Sequence, residues 1–117
     1  MNRKQLGIAM FVGGTLLPDG TRVSLTPDTR IGRDPVTAEG QETAALLPVA
    51  DADSSVSKTH ARLLVRDGIL TVVDLGSTNG TLVVTRDGTE LQAFPQVELE
   101  VPHGASLKIG VYAITVE

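Results

Sequence analysis

Two short stretches of the chain combine residue types that suit the binding of an anion. In the first, Gly32 allows the backbone to turn, and Arg33 then presents a planar, permanently charged fork of donors. In the second, Ser57 and Lys58 offer a hydroxyl, an ammonium group and the backbone N–H groups of a short loop, and His60 follows. Both stretches therefore suit the recognition of a compact, negatively charged group.

A third stretch, Asp74 to Thr81, contains Thr78, Asn79 and Gly80. The asparagine amide has two donors and an acceptor, which fits pairing with the main chain of a peptide. Asn-Gly is also a strongly preferred sequence for a tight hairpin turn, because both turn positions need a positive φ. The two interpretations are compatible, since a rigid turn can present the amide outward.

Each stretch taken alone has a structural explanation that outweighs the binding hypothesis. Arg33 alone is more often an arginine on a solvated turn, and Asn79-Gly80 alone is more often a plain hairpin. His60, which precedes an apolar run, is best explained as a structural histidine that holds its loop by hydrogen bonds. The presence of all three stretches in one chain, in this order, is what favours a binding site.

An enzymatic interpretation would use Ser57 as nucleophile, His60 as base and Asp74 to orient that base. A serine and a histidine three residues apart at the start of a strand rarely align for attack, and the chain contains no Gly-x-Ser-x-Gly elbow. A zinc site lacks ligands, because the chain has no cysteine and only two histidines, His60 and His103. We therefore expect no catalytic residue, no metal site and no cofactor.

The acidic balance of the chain excludes one class of partner. The net charge is −4, and the chain has no basic stripe that would neutralise the phosphates of a nucleic acid. No apolar stretch approaches the roughly 20 residues of a membrane-spanning helix. The absence of cysteine fits a reducing, cytoplasmic setting. We expect no nucleic-acid partner and no membrane insertion.

Short apolar or alternating runs, each closed by turn residues, predict many β-strands. Helical periodicity is weak, and its single candidate, residues 36–47, is better explained as a loop that leads into a strand. Only 3% of residues are aromatic, so the core must be built from Val, Leu, Ile and Ala. A sandwich or barrel of antiparallel hairpins follows. The eleven predicted runs are Gly7–Val12, Thr21–Thr26, Thr29–Gly32, Ala44–Val49, His60–Arg66, Ile69–Leu75, Thr81–Thr85, Thr89–Leu91, Val97–Val101, Ser106–Ile109 and Val111–Val116.

One long loop, from Asp34 to about Thr43, directly follows Arg33. Long loops on a rigid sheet often carry function, and this one has the length either to redirect the arginine or to cover the site. Asp51 and Asp53 place negative charge shortly before Ser57. The length of this loop and the negative charge of Asp51 and Asp53 are therefore the two features that do not favour a simple anion site at Arg33 and Ser57.

In this order, the three stretches resemble the hallmark sequences of the forkhead-associated (FHA) domain family. Leu107–Gly110 also resembles the closing hairpin of that family. The resemblance extends from about Leu6 onward, so we divide the chain into an N-terminal arm, residues 1–5, and one FHA domain, residues 6–117. The matching stretches are Ile31-Gly32-Arg33, Ser57-Lys58-Thr59-His60-Ala61 and Asp74-Leu75-Gly76-Ser77-Thr78-Asn79-Gly80-Thr81.

The resemblance implies an all-β fold, an eleven-stranded antiparallel β-sandwich of the SMAD/FHA type, whose loops at one end bind phosphothreonine peptides. It implies that Thr78 and Asn79 hold the peptide, with the Asn79 amide on its main chain. The implied phosphate ligands are Arg33, Ser57 and Lys58. The implied structural residues are Gly32, His60 and Gly80.

The expected function is phosphothreonine-dependent recruitment of a protein partner in Ser/Thr-kinase signalling, without enzymatic activity. The composition, rich in Ala, Val, Gly and Asp, is typical of a bacterial protein, and we expect a monomer or one module of a larger protein. The alternative is a phosphate-independent scaffold or oligomerisation module on the same sandwich, which the sequence leaves open.

Overall fold

The computed structural model describes residues 15–16, 20, 22–23, 27–40, 42–49 and 55–116. These residues form strands, turns and loops, and no helix occurs among them. Within the same ranges, nothing has the length and hydropathy of a membrane-spanning helix. The strands are β1 Thr15–Leu16, β2 Arg22–Val23, β3 Asp28–Gly32, β4 Ala45–Pro48, β5 Ala61–Arg66, β6 Ile69–Asp74, β7 Thr81–Val84, β8 Glu90–Gln92, β9 Leu99–Glu100, β10 Ser106–Ile109 and β11 Tyr112–Val116.

The strands form two sheets, one with the order β2-β1-β11-β10-β7-β8 and the other with the order β4-β3-β5-β6-β9. Neighbouring described strands are antiparallel, with the exception of β3 and β4, which run parallel. Parallel neighbours need a crossover of about a dozen residues, and residues 33–44 between them supply it. The loop expected at Asp34–Thr43 is therefore the connection that returns the chain to lie beside β3.

The inner faces of the two sheets form the core. In β7, Thr81 and Val83 are buried, whereas Leu82 and Val84 are only half-buried, as the two-residue period of a strand requires. Each fully buried aliphatic side chain stabilises the fold by about 1.5–3 kcal/mol. The fully buried aliphatic side chains include Ile31, Leu63, Val72, Val83, Leu107, Ile109 and Ile114.

Ten of the eleven predicted runs overlap observed strands. The other run, Gly7–Val12, and the predicted arm, residues 1–5, lie outside the described residues. A strand at Thr15–Leu16 was not predicted. The described part of residues 36–47 has no helix and leads into β4. The prediction of an all-β sandwich is confirmed, with one parallel pair of strands added to its antiparallel framework.

The register of the strands places the ends of β3, β6 and β10 and the starts of β5, β7 and β11 at the same end of the sandwich. Ala61, at the start of β5, pairs with Ile31 near the end of β3 and with Asp74 at the end of β6. In the other sheet, the starts of β7 and β11 both pair with the end of β10. A hydrogen bond of 2.8 Å between His60 Nε2 and the Gly80 carbonyl joins the two sheets at this end.

Candidate functional site

A cleft of about 540 Å³ opens at this end of the sandwich. It collects residues that are far apart in the chain, because the loops after β3, before β5 and after β6 all meet there. The five ligand-binding residues predicted from the sequence all line it. The lining residues are Arg33, Ser55, Val56, Ser57, Lys58, Thr78 and Asn79.

The first loop is positioned by close packing of two backbones. A Cβ on Gly32 would collide with the carbonyl oxygen of Lys58, so only glycine allows this approach. The N–H of Arg33 then donates to the Ser57 carbonyl at 3.2 Å, and the N–H of Asp34 donates to the Lys58 carbonyl at 3.1 Å. These bonds fix Arg33 beside the Ser57 loop. Its exposed guanidinium has no carboxylate partner among the described residues, and it therefore remains available to a ligand.

His60 is fully buried and holds two loops of the cleft together. Its Nδ1 accepts a hydrogen bond of 3.0 Å from the N–H of Ser57. Because Nδ1 acts as an acceptor, the proton of the neutral ring lies on Nε2, which donates to the Gly80 carbonyl. This hydrogen bond joins His60 and Gly80, the two residues of the loops for which the resemblance implies a structural role. Together with the bond to Nδ1, it also leaves neither ring nitrogen free to act as a base toward the Ser57 hydroxyl.

Asp74 organises the loop that carries Thr78 and Asn79, a role that the sequence interpretation missed. The carboxylate is 2% exposed and accepts hydrogen bonds from the N–H groups of Gly76 and Ser77 and from the hydroxyls of Ser77 and Thr81, at 2.5–3.1 Å. Its distance of 3.9 Å from His60 Nε2 is too long for a hydrogen bond. The orienting contact of a catalytic triad is therefore absent from this pair.

The electrostatics of Asp74 follow from these contacts. Burial acts to raise the pKa of Asp74, but the hydrogen bonds from Ser77, Thr81 and Gly76 together outweigh it, and the pKa lies below its usual value. The Ser77 hydroxyl also accepts the N–H of Gly80 at 3.0 Å. The loop is thus held from within before any ligand arrives.

Ser57 is already oriented toward the cleft. Its Oγ accepts a hydrogen bond of 3.1 Å from the N–H of Thr78. Since that bond uses a lone pair, the hydroxyl proton remains free to be donated to a ligand oxygen. The backbone N–H of Thr78 is occupied by the same bond, so Thr78 can meet a ligand only through its exposed side chain and its carbonyl.

Ser55 connects three loops and was not singled out from the sequence. Its carbonyl accepts from the Asn79 amide at 2.9 Å, and its Oγ accepts from the N–H of Val111 at 3.0 Å. A Cβ on Gly110, whose φ is +62°, would collide with the Ser55 carbonyl oxygen. A glycine at a predicted strand junction was the one signal of this contact. The second N–H and the Oδ1 of Asn79 remain able to meet a ligand.

The long crossover does not cover the cleft in its described part. The N–H of Val36 donates to Thr59 Oγ1 at 3.1 Å, which holds the start of the crossover beside the Ser57 loop. No described residue of 34–43 lines the cleft. Asp51 and Asp53, which add negative charge in the sequence, lie outside the described residues. In the described ranges, no group of three His, Asp or Glu side chains is placed to hold a metal.

The sequence profile of the FHA domain matches residues 29–110, which is more than half of the chain. The chain belongs to the FHA domain family. This confirms the resemblance drawn from the three stretches, and it covers every residue that lines the cleft. No curated protein sequence matches the chain significantly.

Solved FHA domains share the fold. The FHA domain of human APLF, in complex with an XRCC1 bisphospho peptide, is 28% identical, with a TM-score of 0.65 over 89% of this chain and 97% of that one. The FhaA FHA domain, complexed with the intracellular domain of Rv3910, is 24% identical, with a TM-score of 0.64 over 88% of this chain and 97% of that one. The MEK1 FHA domain, bound to a HOP1 phosphothreonine peptide, is 13% identical, with a TM-score of 0.64 over 90% and 94% of the two chains.

Proposed function

We propose that this FHA domain is a phosphothreonine-dependent peptide-binding module that recruits a phosphorylated protein partner. The observation that carries the proposal is the convergence of Arg33, Ser57 and Lys58 on one polar cleft with Asn79 at its edge. FHA domains related to this one are bound to phosphopeptides, which supports the same class of ligand here.

The phosphate is the group that decides binding. A phosphothreonine carries about −1.5 to −2 charges at neutral pH and three strong acceptor oxygens. The Arg33 guanidinium supplies two parallel donors, the Ser57 hydroxyl supplies its free proton, and Lys58 supplies an exposed ammonium group. Each charge-assisted bond contributes about 1.5–3 kcal/mol, and an extended peptide held in this way binds with roughly micromolar affinity.

Thr78 and Asn79 hold the peptide beside the phosphate. The bond from the Asn79 amide to the Ser55 carbonyl fixes the plane of the amide. Its remaining N–H and its Oδ1 then pair with the main chain next to the phosphothreonine, where one donor and one acceptor are needed. Main-chain pairing of this kind is independent of the neighbouring side chains, so it adds affinity without restricting the sequence that is bound.

The source of the ligand follows from its chemistry. A phosphothreonine requires a Ser/Thr kinase, and we therefore assign the domain to recruitment within Ser/Thr-kinase signalling. The bacterial origin and the cytoplasmic setting expected from the composition belong to the same proposal. The division into an arm, residues 1–5, and a domain, residues 6–117, belongs to the same proposal.

The test is a titration of the wild-type domain and two arginine variants with one peptide in phosphothreonine, phosphoserine and threonine forms. Arg33→Ala removes the guanidinium at the cleft, and Arg86→Ala removes one at the opposite end of the sandwich as a matched control. We expect Arg33→Ala to weaken binding of the phosphothreonine peptide by about 10- to 100-fold, to the limit of detection, because a charged hydrogen-bond donor is lost. Arg86→Ala should bind as wild type.

Two results would contradict the proposal. Wild-type affinity in a folded Arg33→Ala variant would remove the arginine from the phosphate site. Equal affinity for the phosphorylated and unphosphorylated peptides would instead favour the alternative of a phosphate-independent scaffold.

A further inference from the structure

Asn79 is the only asparagine in the chain that a glycine follows, and this pair of residues can lose the side-chain amide. The backbone nitrogen of the glycine, once hydroxide has taken its proton, attacks Cγ of the asparagine, and the side-chain nitrogen leaves as ammonia. Water then opens the resulting succinimide ring to aspartate or isoaspartate. Glycine favours this reaction because it has no side chain to hinder its nitrogen. Asn79 is exposed, so water and hydroxide reach it.

In the folded domain, hydrogen bonds occupy both nitrogens that take part in this reaction. The N–H of Gly80, which supplies the attacking nitrogen, donates to Ser77 Oγ at 3.0 Å. The amide nitrogen of Asn79, which has to leave, donates to the Ser55 carbonyl at 2.9 Å. The Gly80 carbonyl is also fixed, because it accepts from the buried His60 at 2.8 Å. Ring closure therefore requires that several hydrogen bonds of this loop open first.

Ser77 receives the Gly80 N–H because the buried carboxylate of Asp74 orients its hydroxyl. The hydroxyl proton is donated to Asp74 Oδ1 at 2.5 Å, so a lone pair of Oγ is left to accept the Gly80 N–H. Thr81 donates to the same carboxylate oxygen at 2.6 Å. Among the described hydrogen bonds, however, only those of Ser77 connect the carboxylate to the Gly80 N–H.

We propose that Asn79 is a site of spontaneous deamidation, and that the bond from the Gly80 N–H to Ser77 keeps the reaction slow in the folded domain. The product has a carboxylate at the edge of the cleft in place of an amide. It lacks the N–H that donates to the Ser55 carbonyl, and its negative charge repels a bound phosphate. The effect on peptide binding rests on the proposed function of the cleft, whereas the reaction itself does not.

An exposed turn elsewhere in the chain offers a reference for the unprotected reaction. Asp67 and Gly68 form the tight turn between β5 and β6, where Arg66 pairs with Ile69. In the described part of the chain, the Gly68 N–H makes no hydrogen bond. Asp67 has a φ of +54°, which asparagine tolerates, so Asp67→Asn creates a second Asn-Gly pair without disturbing the turn. Both pairs then age in the same molecule.

The experiment ages three proteins at physiological temperature and pH: Asp67→Asn alone, Asp67→Asn with Ser77→Ala, and Asp67→Asn with Thr81→Val. Peptide mapping by mass spectrometry follows the conversion of each asparagine with time. Ser77→Ala and Thr81→Val both remove one donor to Asp74, but only Ser77→Ala removes the acceptor of the Gly80 N–H. Thr81→Val is thus the matched control for general loosening of the loop.

In Asp67→Asn alone, we expect position 79 to convert about ten- to a hundredfold more slowly than position 67, because at least two hydrogen bonds have to open. Ser77→Ala should speed conversion at position 79 by about two- to tenfold, the size expected for the loss of one hydrogen bond. Thr81→Val should leave the ratio of the two rates unchanged. In concentrated urea, which removes the fold, the two rates should become equal.

Three results would overturn the proposal. The first is equal conversion at both positions in folded Asp67→Asn, which does not depend on the folding of the other variants. The second is an acceleration by Thr81→Val as large as that by Ser77→Ala. The third is a difference between the two positions that persists in urea, since it would then come from the local sequence and not from the fold.

The effect on binding is tested separately with Asn79→Asp, which reproduces one product of the reaction. We expect this variant to bind a phosphothreonine peptide at least about tenfold more weakly than wild type, because a donor is lost and a like charge is added. Wild-type affinity in Asn79→Asp would show that deamidation has no effect on the cleft. Absence of binding by wild type would overturn the proposed function, while the conversion rates at positions 79 and 67 would still decide the deamidation.

Discussion

Two aspartates organise turns at opposite ends of the sandwich, and they do so in different ways. Asp74 is buried and receives four hydrogen bonds from Gly76, Ser77 and Thr81. Asp87 is exposed, and its carboxylate receives the hydroxyl of Thr85 and the N–H of Thr89 within one hairpin turn. Both turns contain Asp and Gly, so the sequence makes them look alike.

The difference lies in what each turn is attached to. The loop held by Asp74 is bonded to other loops, through Thr78 to Ser57 and through Asn79 to Ser55. The hydrogen bonds made by the Asp87 carboxylate stay within residues 85–89. A buried, many-bonded carboxylate therefore marks the end at which side chains must be held in a fixed arrangement, whereas an exposed one only closes a hairpin.

The largest expected change in stability comes from removing the Asp74 carboxylate, with removal of the Asp87 carboxylate as its comparison. Asp74→Ala leaves several donors of one loop without an acceptor in a buried site, and we expect the free energy of unfolding to fall by about 2–4 kcal/mol. Asp87→Ala exposes its former partners to water and should leave stability unchanged. Urea denaturation of both variants measures the contrast. Equal losses of unfolding free energy in Asp74→Ala and Asp87→Ala would contradict the view that only the buried carboxylate stabilises the fold.

The stability that Asp74 contributes should also depend on pH. Because its pKa is lowered in the folded state, the stability it contributes is present above the unfolded value, about 3.9, and is lost as pH falls through the folded pKa. The difference in unfolding free energy between wild type and Asp74→Asn should thus be largest near neutral pH and shrink in acid. A difference that stays constant from neutral pH to about pH 2 would contradict this assignment.

Sequence reasoning predicted the parts of the fold that depend on local pattern. Ten strands followed from alternation and turn residues, and the family resemblance pointed to Arg33, Ser57 and Asn79, which the structure brings together in one cleft. Periodicity identifies a strand and its faces but not its neighbour, so the parallel pairing of β3 and β4 remained hidden in a long loop.

The contacts that hold the site in shape were missed for a related reason. The bonds from Asn79 and Val111 to Ser55 join positions 24 and 56 residues apart, which no local pattern encodes. Sequence reasoning connects Asp74 only with His60, because the groups that donate to its carboxylate come within reach only when the loop folds back on it.

A smaller effect is expected from a matched pair of threonine substitutions. Thr81→Val keeps the shape of a buried side chain and removes one of the donors to Asp74, at 2.6 Å, so we expect a loss of about 1–2 kcal/mol in unfolding free energy. Thr85→Val removes the equivalent donor to the exposed Asp87 and should have little effect. Thermal or urea unfolding of the pair tests whether burial, rather than the hydrogen bond itself, sets the size of the loss.

Ser55→Ala is expected to have the smallest effect on stability. It should also weaken the binding of a phosphothreonine peptide. The variant keeps the carbonyl that receives the Asn79 amide and loses the hydroxyl that receives the exposed hydrogen bond from the Val111 N–H. We expect a loss of about 0.5–1 kcal/mol in unfolding free energy and a few-fold weaker binding of a phosphothreonine peptide, because Ser55 is no longer tied to the loop after β10. Calorimetric titration with the peptide measures the loss of affinity, and urea unfolding measures the loss of stability. Weaker binding without any change in stability would show that Ser55 contacts the peptide directly, and unchanged binding would show that the loop after β10 is not needed to hold the Asn79 side of the cleft.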